Sequence, residues 1–270
     1  MIDMDTEYWL NVCKDIGEKV FVEMQKLVKI DENKKVMGIG SGGDKTMIID
    51  DLAEKVVWNE LKKTGKSLKI ISEEFGEKII GTNPEVSIIV DPIDGSNNVR
   101  FGIPFNCLSM AVGDLSGKIK GIEIGYIKDF VRGSNYYAIK GKGAYKNDKK
   151  IQVCKEGIGC LLIDVVLERE KNFKRICDVG KNFPFVRMLG SACLAMCFVA
   201  RGSVDGYVGL SAKRTLDYTA TQLIIKEAGG VVKDIDGKDF SEYNIGFNID
   251  VNIIAASNDN MFNKIKSVLK

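Results

Sequence analysis

The residues best suited to chemistry are four carboxylates: Glu73 in Ser72-Glu73-Glu74, Asp91 and Asp94 in Asp91-Pro92-Ile93-Asp94-Gly95-Ser96, and Asp217 in Leu216-Asp217. They stand in a chain of 270 residues that contains no histidine. That absence excludes Ser-His-Asp and Cys-His nucleophile activation, phosphohistidine chemistry, His-ligated zinc or haem, and an imidazole base. Acid–base or metal work therefore falls to carboxylates, hydroxyls, lysines, tyrosines and cysteines. Two carboxylates about 4 Å apart repel by roughly 4 kcal/mol at an effective dielectric of 20. Four that converge need cations. Hard oxygen ligands without imidazole or thiolate favour magnesium, with manganese as a substitute.

The hexapeptide beginning at Asp91 follows the apolar run Val86 to Val90. Proline fixes φ at 92 and pushes residue 91 toward extended geometry, and Gly95 permits a tight turn after Asp94. The two carboxylates then converge at a strand's carboxyl end, with the N–H groups of Gly95 and Ser96 as a seat for phosphate or an oxyanion. A plain turn with an aspartate cap is the competing explanation. Calcium binding of the EF-hand type fails, because Ile93 and Gly102 occupy ligand positions. Locally, Asp217 is explained by capping the helix that starts at Tyr218.

A third segment, Gly38-Ile-Gly40-Ser-Gly42-Gly43, matches G-x-G-x-x-G and lies close to a phosphate-binding P-loop. Both readings have faults. The strand before it is short and polar, and Asp44 would bring negative charge into a phosphate cradle. A surface loop is the alternative.

Apolar residues from Trp9 to Leu27 recur at helical spacing, as do those from Met47 to Leu61. Leu68 to Ser72 and Val86 to Val90 read as strands, the second buried. Period-two alternation with repeated glycines from Phe105 to Val153 indicates antiparallel hairpins. Beyond Gly159 strands near 160–166, 185–189, 206–210, 230–233 and 253–256 alternate with helices, the last starting near Asn258. The rhythm changes near 150–158, which suggests an N-terminal α+β lobe (1–153) and a C-terminal α/β lobe (154–270).

With 45% hydrophobic and 28% charged residues, the composition is that of a globular protein. A net charge of +2 argues against a nucleic-acid protein held by a basic surface. No apolar run approaches the roughly 20 residues that span a bilayer, and the N-terminus has no signal-peptide pattern. A cytoplasmic location is expected. Seven scattered cysteines without a CxxC pair do not form a disulfide framework; Cys193 and Cys197, four apart among small apolar neighbours, read as buried thiols.

Taken in order, Ser41-Gly-Gly-Asp44, Ser72-Glu73-Glu74, Asp91-Pro-Ile-Asp94-Gly-Ser96, Gly141-Lys-Gly-Ala-Tyr145, Leu189-Gly-Ser191-Ala192 and Leu216-Asp217 resemble the inositol monophosphatase family of magnesium-dependent, lithium-sensitive phosphatases. The likeness is greatest to archaeal-type members that also hydrolyse fructose 1,6-bisphosphate, and it runs over nearly the whole chain. It implies an α/β fold, a layered αβαβα sandwich of the sugar-phosphatase type, in a homodimer. It further implies that Glu73, Asp91, Asp94, the Ile93 carbonyl and Asp217 hold two magnesium ions, with Asp44 holding a third. Gly95 and Ser96 would bind phosphate, with Asp94 and Ser191 also on the substrate side. Ser96 paired with Asp50 would relay a water's proton, assisted by Glu73.

Two departures bear on substrate. Leu216-Asp217 replaces the family's Trp-Asp, and Leu210 stands about where inositol-specific members carry an acid. Arg187, Lys213 and Arg214 suit a second phosphate. The expectation is therefore a phosphatase acting on fructose 1,6-bisphosphate and inositol 1-phosphate, with a phosphorylated sugar or polyol as its small-molecule partner, a second copy of the chain in the homodimer, and neither nucleic acid nor membrane. The rivals are a 3′-phosphoadenosine 5′-phosphate or NADP(H) phosphatase of the same family and, more distantly, an NAD-binding oxidoreductase.

Overall fold

The structure is a computed structural model and describes residues 4–30, 35–41, 45–165, 170–247 and 249–269. Helix α1 (Thr6–Leu27) begins where Asp5 accepts a hydrogen bond from the Tyr8 N–H at 2.9 Å, and it buries Trp9, Leu10, Cys13, Ile16, Val20 and Met24 along one stripe. Strands β1 (Val36–Ile39) and β2 (Lys45–Met47) form an antiparallel hairpin that joins no other strand. Helix α2 (Ile48–Lys63) follows.

The next eight strands make one sheet: β3 (Leu68–Ser72), β4 (Gly76–Ile80), β5 (Val86–Asp94), β6 (Cys107–Gly113), β7 (Ile122–Asp129), β8 (Asn135–Ile139), β9 (Gly143–Lys146) and β10 (Lys149–Ile151). Their spatial order is β10-β9-β8-β7-β6-β5-β3-β4, antiparallel except for the β3–β5 pair. The short helix α3 (Ser96–Phe101) interrupts the chain after β5. A second sheet holds β11 (Cys160–Asp164), β12 (Phe185–Arg187), β13 (Gly206–Arg214), β14 (Val231–Asp234) and β15 (Asp250–Ala256), ordered β12-β11-β13-β15-β14. Helices α4 (Glu170–Asn182), α5 (Ala192–Ala200), α6 (Thr219–Glu227) and α7 (Asp259–Val268) connect or close these strands.

Side chains alternate across each strand, and the alternation sorts the core into three bands. Leu68, Ile70, Ile88, Val90, Leu108, Met110 and Ile124 pack with α1 and α2. On the opposite face of the same sheet Ile71, Ile89, Cys107, Ala111 and Ile127 pack with α5, α6 and the facing residues Leu162, Tyr207, Ile253 and Ala255 of the second sheet. The outer face of that sheet, with Leu161, Ile163, Val208 and Ile254, packs with Val179 and Phe183 of the α4 region and with Phe262 and Ile265 of α7. Helices, sheet, helices, sheet, helices: these are the five layers of the αβαβα sandwich expected from the sequence. Full burial of each Leu, Ile or Val contributes about 1.5–3 kcal/mol, and both faces of both sheets bury them.

The hairpin β1–β2 differs from a dinucleotide-binding unit. Its first glycine, Gly38, lies within an exposed strand outside the large sheet, whereas that motif needs a central parallel strand feeding a helix. No helix among the described residues is long and apolar enough to cross a membrane.

Candidate active site

Asp91 and Asp94 end β5. On a regular strand residues three apart face opposite sides, yet here they do not. Asp91 pairs with Ser109 and Asp94 with Cys107, so two residues of β5, Pro92 and Ile93, oppose the single Leu108 of β6. This is a β-bulge. Its effect is visible in the packing: Ile93 joins the layer of α1 and α2 with Val90, while Asp94 reaches the N-terminus of α5 on the opposite face. Proline at 92 suits the bulge because it has no N–H to lose from the ladder.

Helix α5 holds Asp94 firmly. The Ser191 hydroxyl donates to Asp94 Oδ2 at 2.5 Å, the Cys193 N–H donates to the same oxygen at 2.8 Å, and the Ala192 N–H donates to Oδ1 at 3.3 Å. Free N–H groups and the positive end of the helix dipole both favour a carboxylate there. Gly95 then turns the chain with φ +93°, and a Cβ on it would come within 2.9 Å of the Phe105 carbonyl and 3.1 Å of Ser191 Cβ. Asn98 ties the turn down. Its amide donates to the Phe105 carbonyl at 2.6 Å and to the Leu189 carbonyl at 2.7 Å.

Glu73 follows β3, its N–H bonded to the Val90 carbonyl at 3.2 Å, so it sits beside the end of β5. Asp217 lies in the single 3₁₀ turn Thr215–Tyr218 after β13. Between them stands Arg214. Its NH2 donates to Glu73 Oε1 at 2.6 Å and to Asp217 Oδ1 at 3.1 Å, and its Nε and backbone N–H donate to Asp217 Oδ2 at 3.3 and 3.0 Å. The side chain is only 10% exposed. Burial lowers the pKa of the guanidinium, but the charges of Asp217 and Glu73 outweigh that and raise it.

Asp91 is 6% exposed and accepts the Ile93 N–H at 3.0 Å. Burial first, then the charges of Glu73 and Asp94, push its carboxyl well above the usual range, with Cys193 and Asp217 adding to the effect. The four carboxylates carry more negative charge than one guanidinium offsets, and their hard oxygens fit a divalent cation. Among the described residues no three acids or thiols are grouped closely enough to enclose an ion as they stand, and Arg214 takes oxygens from two of the four. Like unit charges about 4 Å apart cost roughly 4 kcal/mol at an effective dielectric of 20, so a guanidinium and a dication do not hold the same oxygens together.

Behind Glu73 lies a second group of acids that sequence reasoning touched only at Asp50. Asp50 Oδ2 caps α2 by accepting the Met47 N–H at 2.8 Å, while Oδ1 has no hydrogen-bond partner among the described residues. Burial, with Glu74 and Glu73 nearby, pushes its pKa up to about 8. Glu54 accepts the Ser72 hydroxyl on one oxygen, has no hydrogen-bond partner for the other among the described residues, and is pushed by burial to about 7. The Thr46 hydroxyl donates to Glu74, and the Ser41 N–H donates to the Glu74 carbonyl at 3.1 Å. The glycine-rich hairpin is thereby attached to the rim of the acidic cluster.

The structure gathers Glu73, Asp91, Ile93, Asp94 and Asp217 with Gly95 and Ser96 beside them, and it gives other residues different surroundings from those expected. No hydrogen bond joins Ser96 to Asp50 among the described residues. Ser191 is 1% exposed and commits its hydroxyl to Asp94. Arg214, read from the sequence as a phosphate ligand, is engaged by carboxylates. Arg187 is exposed on β12, donates to the Val186 carbonyl at 2.9 Å, and makes no ion pair among the described residues. The backbone of Lys213 pairs with Val251; its side chain, like Asp44 as a whole, lies outside what is described. Asn98, Glu54 and Cys193, whose thiol donates to the Asp217 carbonyl at 3.0 Å, were not anticipated. The distance between Asn98 and Leu189 in sequence gave no signal; the spacing of Asp50 and Glu54, one helical turn apart, would have given one.

Residues 5–268 match the family model described as the inositol monophosphatase family. The chain belongs to that family. It is 30% identical to the fructose-1,6-bisphosphatase/inositol-1-monophosphatase of Methanothermobacter thermautotrophicus over 100% of this chain and 99% of that one. It is also 32% identical to the bifunctional NADP phosphatase/NAD kinase of Methanococcus maripaludis, over 97% of this chain but only 48% of the longer enzyme. A Pyrococcus horikoshii protein, whose solved structure is described as having similarities to inositol-1 monophosphatase, superimposes with a TM-score of 0.84 at 27% identity, covering 98% of this chain and all of that one.

Proposed function

We propose that this protein is a magnesium-dependent phosphatase of sugar and polyol phosphates, acting on fructose 1,6-bisphosphate and inositol 1-phosphate. The observation that carries the reading is the convergence of Glu73, Asp91, Asp94 and Asp217 beside the Gly95–Ser96 turn, in a chain of this family. Glu73, Asp91, Asp94, Asp217 and the Ile93 carbonyl would hold two ions, and Asp44 a third; manganese would substitute. Bound magnesium supplies an activated water near neutral pH and offsets charge on the leaving oxygen.

The chain's own groups do the rest. The N–H groups of Gly95 and Ser96 and the Ser96 hydroxyl orient the phosphate, and the αL conformation at Gly95 aims them. Asp50, whose pKa burial and the charges of Glu74 and Glu73 raise, would accept a proton passed through the Ser96 hydroxyl once bound cations bring that pKa back down. Ser191, Ala192 and Cys193 hold Asp94 fixed. Arg187 and Lys213 would meet a second phosphate. In this reading residues 1–153 and 154–270 act as two lobes with the site between them, in a cytoplasmic homodimer that binds no nucleic acid.

The likeness to an NADP phosphatase, at an identity no lower than that to the bisphosphatase, favours NADP as a second candidate substrate. Phosphate release from fructose 1,6-bisphosphate, inositol 1-phosphate, 3′-phosphoadenosine 5′-phosphate and NADP, each with and without magnesium, decides. A marked preference for a nucleotide overturns the first reading, and no release from any of the four overturns both.

A further inference from the structure

Arg214 stands where two elements from different sheets meet. Its guanidinium links Glu73, at the end of β3, to Asp217, in the turn after β13. Three side-chain bonds and one backbone bond are made to these two residues, over distances of 2.6–3.3 Å. Such a bidentate, nearly buried arrangement is selective for a guanidinium, because its planar fork matches carboxylate oxygens. The oxygens it occupies are those that the proposed phosphatase reading gives to divalent ions.

We propose that Arg214 is an internal counter-cation that a metal ion must displace from Glu73 and Asp217 in order to bind, so that it sets the charge a cation needs to enter the site. The inference rests on the assignment of Glu73 and Asp217 as metal ligands. A monovalent ion brings no more charge than the guanidinium already there and loses the competition to a tethered group. A divalent ion brings twice the charge and wins it. Arg214 thereby weakens metal binding while excluding sodium and potassium, and it keeps Glu73 and Asp217 paired whenever no dication is held.

Manganese binding to the EDTA-treated protein, read by electron paramagnetic resonance, tests this without turnover. Arg214→Met should tighten the manganese Kd by about tenfold, within the usual range of coupling between competing ligands. Potassium chloride should then compete with manganese in the variant, but not in the wild type beyond the effect of an equal concentration of tetramethylammonium chloride. An unchanged or weaker Kd in Arg214→Met overturns the proposal. Should that variant fail to fold, the wild type carries the readout and the conservative Arg214→Lys serves only to assign it: with 15N-labelled arginine, the Nε–H resonance absent from Arg214→Lys should move in the wild type when magnesium is added. A resonance that stays in place is equally fatal. A wild type that binds manganese in this way yet releases phosphate from no substrate would refute the phosphatase reading and leave the exchange standing.

Discussion

Asp91 and Asp94 serve one site because a single extra residue separates them from the regular register of β5 and β6. Without it Asp94 would face the layer of α1 and α2, where Ile93 now packs, and its carboxylate would be buried among aliphatic side chains without a partner. With it Asp94 finds three donors at the start of α5. The bulge thus converts a strand end into a pair of convergent acids: three donors at the start of α5 hold one of them, while burial and neighbouring charge raise the pKa of the other.

Asp94→Asn tests that division of labour. The amide cannot accept all three donors and turns its NH2 toward at least one of them, which costs on the order of 1–3 kcal/mol for an unsatisfied buried group. Thermal unfolding should show that loss while the circular dichroism of the folded protein stays unchanged. Phosphate release should fall by more than the roughly 10–100-fold typical of outer-shell partners of a metal. Activity near the wild-type level would remove Asp94 from the metal ligands.

Ser191→Ala separates holding the carboxylate from binding the substrate. Loss of the cap to the Leu194 N–H and of the bond to Asp94 should lower stability by about 1 kcal/mol. Because the hydroxyl faces Asp94, the magnesium concentration for half-maximal activity should rise while KM for substrate at saturating magnesium stays constant. A raised KM with an unchanged magnesium titration would return Ser191 to the substrate side.

Much of this was legible in the chain. Val86–Val90 reads as a buried strand because it is an unbroken apolar run, and the Asp91 hexapeptide marks its functional end because proline and glycine constrain the backbone around two acids. The periodic stretches from Trp9 to Leu27 and from Met47 to Leu61 fall on α1 and α2 to within three residues at each end. The bulge was not legible, since it depends on what β6 places opposite. Nor was the engagement of Arg214: its charge reads as a ligand for a second phosphate until Glu73, far away in sequence, is brought beside it. Strand β4 escaped because Glu77, Lys78 and Ile79 are exposed, leaving only half of an alternating pattern on a sheet edge.

Gly95→Ala should damage both fold and site. An alanine at φ +93° leaves its preferred backbone region, at a cost of about 1–2 kcal/mol, and its methyl group would press on the Phe105 carbonyl and Ser191. Denaturant unfolding should show a loss of at least about 2 kcal/mol once that contact is added. Phosphate release should fall with it, because Ser191 and the Ser96 turn shift together. Full stability in this variant would mean that the turn relaxes without consequence.

Glu54 makes stability depend on pH in a direction opposite to that of an ordinary paired carboxylate. Its pKa lies at about 7 in the folded protein against 4.5 for the exposed group, so the folded state holds a proton that the unfolded chain has lost. That contribution is fully present below pH 4.5 and is lost as pH rises through 7; at 1.36 kcal/mol per pKa unit it amounts to about 3 kcal/mol. Asp50, raised to about 8, acts in the same direction at a slightly higher pH. In EDTA, therefore, urea unfolding should show stability falling between pH 5 and pH 8. Glu54→Gln carries no titrating group at 54 and should flatten the lower part of that fall, so that the variant gains on the wild type as pH rises from 5 to 7.5, whatever its absolute stability. An identical pH profile in the two proteins would show that Glu54 does not hold its proton near neutrality, and the account of the acidic cluster behind Glu73 would have to be abandoned.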